Sequence, residues 1–301
     1  MSSKSSSKIS LTSPIYLLSR LTKLTSTYSG LDASLMLVQY SSPLVIALLL
    51  RLAALKSKFR SNKNGQAFGL VKLAEGWAKM GGSVGEARVV FRAFGLLPIL
   101  TWLLSLHPNP LQSIPKLVYS INKQGLAAFS SPKTLPTLQA LSLLLYYPLE
   151  HLTWLYSKGV IPLNAQRAAK AGLWSVRFWA LYVLLDIYKL RQTYSSLLQR
   201  TKLLRNSKPE IKEKEAEGYE LSKSEQTPVQ QSTEEDKITM KGALTKDWKV
   251  WKNDVMINAG YAPLTVHWST PGGLWAHPLI GGSLGIMAAI GRLTAEWRKG
   301  D

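Results

Sequence analysis

Apolar positions in this chain recur at the three-to-four-residue spacing of helices. Leu17, Leu21, Leu24 and Tyr28 share one helical face, and Pro43 is placed to open a second helix through Leu44 to Leu55. Four later stretches, Val89 to Leu106, Leu138 to Tyr156, Leu173 to Leu190 and Leu274 to Ile290, are apolar on nearly all sides. Each approaches the ~20 residues that cross a bilayer. Arg92, Glu150 with His151, and Arg177 with Asp186 interrupt the first three, and a central charge costs about 2.5 to 3.5 kcal/mol on insertion scales. The fourth holds no Asp, Glu, Lys or Arg from Leu274 to Gly291 and closes with Arg292, Trp297, Arg298 and Lys299, flanks that suit a membrane exit. Gly281, Gly285 and Ala289 recur within it every four residues, a ridge on which a second helix approaches closely.

Between Leu73 and Phe94 the pattern narrows. Leu73, Trp77, Met80, Val84, Ala87, Phe91 and Phe94 stay within about 60 degrees of one line at 100 degrees per residue. Lys72 and Lys79 flank one side of that stripe and Arg88 and Arg92 the other, with Glu75, Gly82 and Glu86 opposite. An apolar floor with basic shoulders predicts an interfacial helix: Leu73, Trp77, Met80, Val84, Phe91 and Phe94 insert among acyl chains, and Lys72, Lys79, Arg88 and Arg92 snorkel to headgroup phosphates. Gly76, Gly81, Gly82 and Gly85 weaken this helix in water by about 0.8 to 1 kcal/mol each relative to Ala, which folding on a membrane offsets. A buried helix of a soluble bundle shows a similar stripe. Trp77, Trp102, Trp154, Trp174, Trp179, Trp275 and Trp297, recurring near the ends of the apolar runs, favour the membrane.

Charge sharpens the reading. The 37 Lys and Arg against 18 Asp and Glu leave a formal charge of +19, which calls for an anionic partner. Nine of the 18 acids fall between Asn206 and Gly242, beside Pro209, Pro228 and a Gln, Ser and Thr run. That stretch buries too little to offset the entropy of ordering it and is expected to be a disordered acidic linker. The chain therefore divides into a basic helical region (1–72), an amphipathic helix with apolar membrane-associated hairpins (73–205), the linker (206–242) and a C-terminal segment with a membrane helix (243–301). The expected fold class is all-α.

Several chemistries are disfavoured. With no cysteine and four scattered histidines, neither a thiol nucleophile nor a metal spacing is present, and no cofactor is expected. Two G-x-S-x-G segments, Gly81 to Gly85 and Gly281 to Gly285, sit in helical periodicity rather than at a strand-to-helix turn, and no His follows Ser283. Glu150 and His151 are adjacent and project about 100 degrees apart, which suits neither a metal pair nor an acid-base dyad. No phosphate loop or dinucleotide fingerprint occurs. The chain is read as a non-enzyme. The Ser/Thr-rich stretch before Asp32, with Lys4, Lys8, Arg20 and Lys23, has the look of a mitochondrial presequence, whereas no continuous apolar signal core is present.

The order of segments resembles the peroxin-11 family of peroxisomal membrane-proliferation proteins, in its divergent fungal form. Leu31 to Tyr40 is similar to the family's N-terminal helix, with Asp32 early and Gln39-Tyr40 late. Ser83 to Leu97 is similar to its Ser-x-x-x-Arg-x-x-x-Arg helix through Arg88 and Arg92. Tyr146 to Leu155 and Arg177-Phe178-Trp179 resemble its Tyr-Pro-acid-His-x-x-Trp and Arg-Phe-Trp signatures, and Gly281 to Trp297 its C-terminal membrane helix. The resemblance implies a protein of the peroxisomal membrane, with both termini in the cytosol, that elongates the organelle before division. It further implies self-association, contact with a dynamin-related fission GTPase, and delivery by the import receptor for peroxisomal membrane proteins. Anionic phospholipid is the expected membrane partner.

Two other classes compete. An organellar transporter or pore is motivated by the acid-poor N-terminus and by Glu150, His151, Arg177 and Asp186 inside apolar runs. A soluble nucleic-acid binder needs basic clusters with exposed stacking aromatics, whereas the aromatic residues here lie in apolar stretches, so no nucleic-acid partner is expected.

Overall fold

The computed structural model describes residues 13–59, 64–206 and 234–299, and every regular element among them is helical. Extended Ser13 leads into Pro14 at the first helical position, where its missing N–H is no loss, and starts α1 (Pro14–Thr25). α2 (Tyr28–Phe59) follows after two residues, with Thr27 Oγ1 accepting the Gly30 N–H at 3.1 Å. α3 (Asn64–Leu106), α4 (Pro110–Gln124), a short 3-10 turn (Gly125–Ser130), α5 (Thr134–Ser157) and α6 (Ala165–Asn206) come next. α7 (Glu234–Ser269) and α8 (Pro278–Lys299) complete the described chain. Between α7 and α8 the backbone turns through Gly272 and Gly273, both at the positive φ that only glycine adopts freely. The turn is fixed where the Leu274 N–H donates to His267 Nδ1 at 2.7 Å and the imidazole stacks on Trp275 at 4.0 Å.

Two compact units make up the chain, residues 1–188 with 253–301, and residues 189–252. In the first, α2 packs between α3 and α8, and α3 packs in turn on α5. In the second, the outer parts of α6 and α7 meet through Tyr194, Trp248 and Trp251, whose ring centroids lie 5.1 to 5.9 Å apart. Trp251 Nε1 donates to the Leu190 carbonyl at 2.9 Å, Trp248 Nε1 to Thr201 Oγ1 at 3.1 Å, and Arg200 pairs with Asp247.

The larger unit buries Met36, Val183 and Leu264 but leaves many large apolar side chains on its surface. Its fully buried side chains include Thr134, Thr137 and Ser142, while Phe94, Leu97 and Leu184 are each more than 60% exposed. Small residues fill the seams: Met36, Ala288 and Ala289 form one tight cluster and Ile99, Leu103 and Ala140 another. Among the described residues three helices are long and apolar enough to cross a membrane, Tyr28–Lys58, Phe68–Leu106 and Pro278–Lys299. The chain is an all-α, membrane-associated protein.

Several expectations change. Pro43 does not open a helix but sits inside α2, and Pro98, Pro148 and Pro263 likewise sit inside α3, α5 and α7. A proline is tolerated where neighbouring groups and helices accommodate the carbonyl it frees, which for Pro43 is that of Gln39. Continuity through Pro43 makes α2 a spanning candidate that the sequence pattern splits. Val89 to Leu106 and most of Leu274 to Ile290 fall in the spanning candidates, whereas Leu138 to Tyr156 and Leu173 to Leu190 do not. The limits at 72 and 242 fall inside α3 and α7, while the two compact units meet in sequence at 188/189 and 252/253. Of the acidic linker, residues 207–233 lie outside the described residues, as do Lys4 and Lys8 of the presequence-like stretch. Its last part, 234–242, is helical as the start of α7.

Candidate functional site

α3 carries two distinct faces. Ala74, Gly81, Gly85, Arg88, Arg92, Gly95, Ile99 and Leu103 follow one line along the helix, about 100 degrees round from the apolar stripe. This is the packed face. A Cβ on Gly81 would lie 2.7 Å from Ser42 Oγ, one on Gly85 2.7 Å from Gln39 Nε2, and one on Gly95 2.9 Å from the Tyr28 hydroxyl. Close approach to α2 and α5 explains these glycines, whereas Gly76 and Gly82 have open space around them.

The stripe lies beside that seam. Leu73 and Phe94 are 57% and 65% exposed, and Trp77, Met80, Val84 and Phe91 are half-buried. Lys72 and Lys79 are exposed, with Lys72 Nζ 4.6 Å over the Phe68 ring. Arg88 and Arg92 turn the other way, so their expected contact with headgroups is corrected. Arg88 is 7% exposed, its Nε donating to Asp32 Oδ1 at 2.8 Å and its Nη1 to Gln39 Oε1 at 2.6 Å. Arg92 makes a bidentate pair with Glu150 through Nε at 2.5 Å and Nη2 at 2.8 Å. A guanidinium on a helix among apolar segments finds a carboxylate because leaving either charge unpaired there costs several kcal/mol.

The pairs belong to one network. Arg292 of α8 reaches the second oxygen of Asp32, Nη1 to Oδ2 at 2.6 Å, so a single carboxylate on α2 ties α3 and α8. The Tyr146 hydroxyl donates to Glu150 Oε1 at 3.0 Å. Nearby, Gln139 and Asn258 donate to the two oxygens of Asp186 at 3.2 and 2.7 Å, joining α5, α6 and α7. His151 Nδ1 meets the Tyr147 carbonyl at 2.6 Å, and its Nε2 is buried with no partner.

These groups surround a cavity of about 390 Å³, lined by Arg88, Arg92 and Arg292, by Asp32 and Glu150, and by aromatic side chains. Part of its wall is a continuous shelf in which Tyr40 stacks on Trp268, Trp268 on Trp179 and Trp179 on Tyr146, with centroids 5.7 to 6.4 Å apart. No cluster of three or more metal-ligating side chains occurs among the described residues.

On α8, Gly285 and Ala289 face α2: a Cβ on Gly285 would collide with Tyr40 Cδ1, and Ala289 is wholly buried beside Met36. Gly281 is not part of that seam. Its neighbours are Leu264 and Trp275, while Gly282 lies beneath Tyr40, Pro43 and Leu44, so the ridge runs through 282, 285 and 289.

Sequence reasoning missed Asp32, Gln39, Glu150 and Arg292 as partners, although each charge inside an apolar run was a signal that an opposite charge must face it. It also missed α4. That helix buries no side chain fully, leaves Leu111 91% and Val118 54% exposed, and sets Lys116 and Lys123 on the side away from them.

Residues 18–241, well over half of the chain, match the family model described as Peroxisomal biogenesis factor 11 (PEX11). The match stops before α8, so the likeness of Gly281 to Trp297 to a C-terminal family helix lies outside it. No curated protein and no solved structure matches the chain.

Proposed function

Because the chain belongs to the PEX11 family of peroxisomal biogenesis factors, we propose that it elongates the peroxisomal membrane ahead of division by wedging the open face of α3 into one leaflet. The family is associated with the peroxisomal membrane, serves its proliferation and division, and is not a family of enzymes. The finer reading rests on one observation: Leu73 and Phe94, at the two ends of the stripe, stay exposed and its other members half-buried, on a helix whose closest packing is done by another face.

Length supports it. At 1.5 Å per residue the 43 residues of α3 extend about 64 Å, twice the ~30 Å hydrocarbon core, whereas the 22 residues of α8 extend about 33 Å. The excess of α3 is its N-terminal part, which carries Lys72, Glu75, Lys79 and Glu86 and suits the headgroup layer rather than the core. Lys72 and Lys79, not Arg88 and Arg92, are then the contacts to anionic phospholipid.

In this reading self-association concentrates the wedges, a dynamin-related GTPase completes fission, and the import receptor delivers the chain with both termini in the cytosol. The test is reconstitution of the full-length chain into anionic vesicles viewed by electron microscopy. Elongated vesicles are expected from the parent and spherical ones from a Leu73→Glu, Phe94→Glu variant of unchanged helicity. Elongation that survives in this variant, or is absent from the parent, overturns the wedge.

A further inference from the structure

The cavity among α2, α3 and α5 to α8 presents more hydrogen-bond donors than acceptors. Asp32 and Glu150 supply its carboxylates, and both are engaged, Asp32 by Arg88 and Arg292, Glu150 by Arg92 and the Tyr146 hydroxyl. Against these two acids stand three guanidinium groups, one positive charge more than the pair balances. Arg92 spends Nε and Nη2 on Glu150, which leaves Nη1 outside both bonds. Tyr28, Tyr147 and Tyr182 also line the space, and among the described residues their hydroxyls have no hydrogen-bond partner, so each can donate to a guest. Donors that face one cavity without a protein partner are met by water or by an acceptor-rich guest, and a cluster of them around one volume favours the guest.

The surroundings narrow its chemistry. The volume of about 390 Å³ lies in the range of roughly 300 to 1,000 Å³ that small-molecule sites occupy. The shelf of Tyr40, Trp268, Trp179 and Tyr146 offers a flat apolar wall. Tyr182, Tyr261 and Arg292 also line an adjoining cavity of about 290 Å³, where the other charged side chains are Asp186, Asp254 and Glu296. An anion is repelled from that acidic side and held to the arginine side.

We propose that the arginine-lined cavity binds one small organic oxyanion, a carboxylate or phosphate whose apolar body lies on the aromatic shelf. Free anions and lipid headgroup phosphates share this chemistry. The assignment rests on the cavity alone and stands or falls apart from membrane elongation.

The test uses the full-length chain in a neutral detergent. Tryptophan emission, to which Trp179 and Trp268 report from the lining, and the thermal midpoint are followed against benzoate, with neutral benzamide as control. A second arm compares short-chain phosphatidylglycerol with short-chain phosphatidylcholine. Saturable responses to benzoate or to phosphatidylglycerol, and not to their controls, are expected, and the responding arm names the source. No saturable response, or equal responses to benzoate and benzamide with none specific to phosphatidylglycerol, overturns the proposal whatever the variants do. Among variants, Asp32→Asn adds net positive charge and is expected to tighten binding about tenfold, while Arg292→Gln loosens it about tenfold. Damage to the fold would weaken both, so a loss of affinity in Asp32→Asn that retains parental helicity also counts against the assignment.

Discussion

Removing one partner of the Arg92–Glu150 pair is expected to cost far more than removing both. The guanidinium meets the carboxylate bidentately at 2.5 and 2.8 Å, with the two side chains 15% and 20% exposed. At 2.8 Å and an effective dielectric of 20 the gross attraction is about 6 kcal/mol, most of it offset by desolvation. An orphaned partner keeps that desolvation cost without the attraction. Arg92→Met is therefore expected to lose about 3 kcal/mol, the low end of the range for buried pairs, because the Tyr146 hydroxyl still donates to Glu150. Glu150→Leu is expected to lose about as much, since it strands the guanidinium. The double variant stays within about 1 kcal/mol of the parent, which, against two single losses of about 3 kcal/mol each, gives a coupling of roughly 5 to 7 kcal/mol. The assay is denaturation of the chain in mild detergent, followed by circular dichroism. Singles that each lose under about 1 kcal/mol, or losses that simply add in the double, would refute the pairing as a buried one.

Three further outcomes are expected. Gly82→Ala, at an open helical position, should stabilise by about 0.5 to 1 kcal/mol, while Gly285→Ala, whose new methyl collides with Tyr40, should cost about 1 to 3 kcal/mol; the same denaturation assay reads both, and equal effects would contradict the α2–α8 seam. Lys72→Glu with Lys79→Glu should weaken attachment to anionic vesicles and flatten its dependence on salt in a flotation assay. Trp251→Ala should cost about 3 kcal/mol in the 189–252 unit, seen as faster amide exchange around Leu190, whose carbonyl loses its indole donor.

The helical fold class and the stripe on α3 were legible because both follow from spacing over one or two turns. What spacing omits is the partner. Arg88 and Arg92 lie on the border of the stripe, and by periodicity alone they read as shoulders of a lipid-facing surface. Their true partners stand 56 and 58 residues away, on helices whose placement no local pattern carries. The glycines divide for the same reason: Gly81 and Gly82 look alike in sequence, yet one meets Ser42 and the other meets nothing. Pro43 misled because it is a helix breaker in water, where nothing compensates the freed carbonyl, and a tolerated kink among packed apolar helices. The ridge on α8 was found one residue out of register at Gly281, since Gly281 and Gly282 are both small and only the position of Tyr40 separates them.

Asp32 has a consequence for how the chain is assembled. One of its oxygens takes Arg88, 56 residues downstream, and the other takes Arg292, 260 residues downstream. At synthesis rates of about 5 to 20 residues per second, the second arginine emerges roughly 13 to 50 s after the carboxylate. In that interval α2 and α3 are expected to join through a neutral pair, one acid with one base, and α8 to dock afterwards onto the second oxygen. A chain halted before α8 would keep the hairpin but lack its clasp, with the sides of Tyr40 and Met36 that meet Gly285, Ala288 and Ala289 left uncovered.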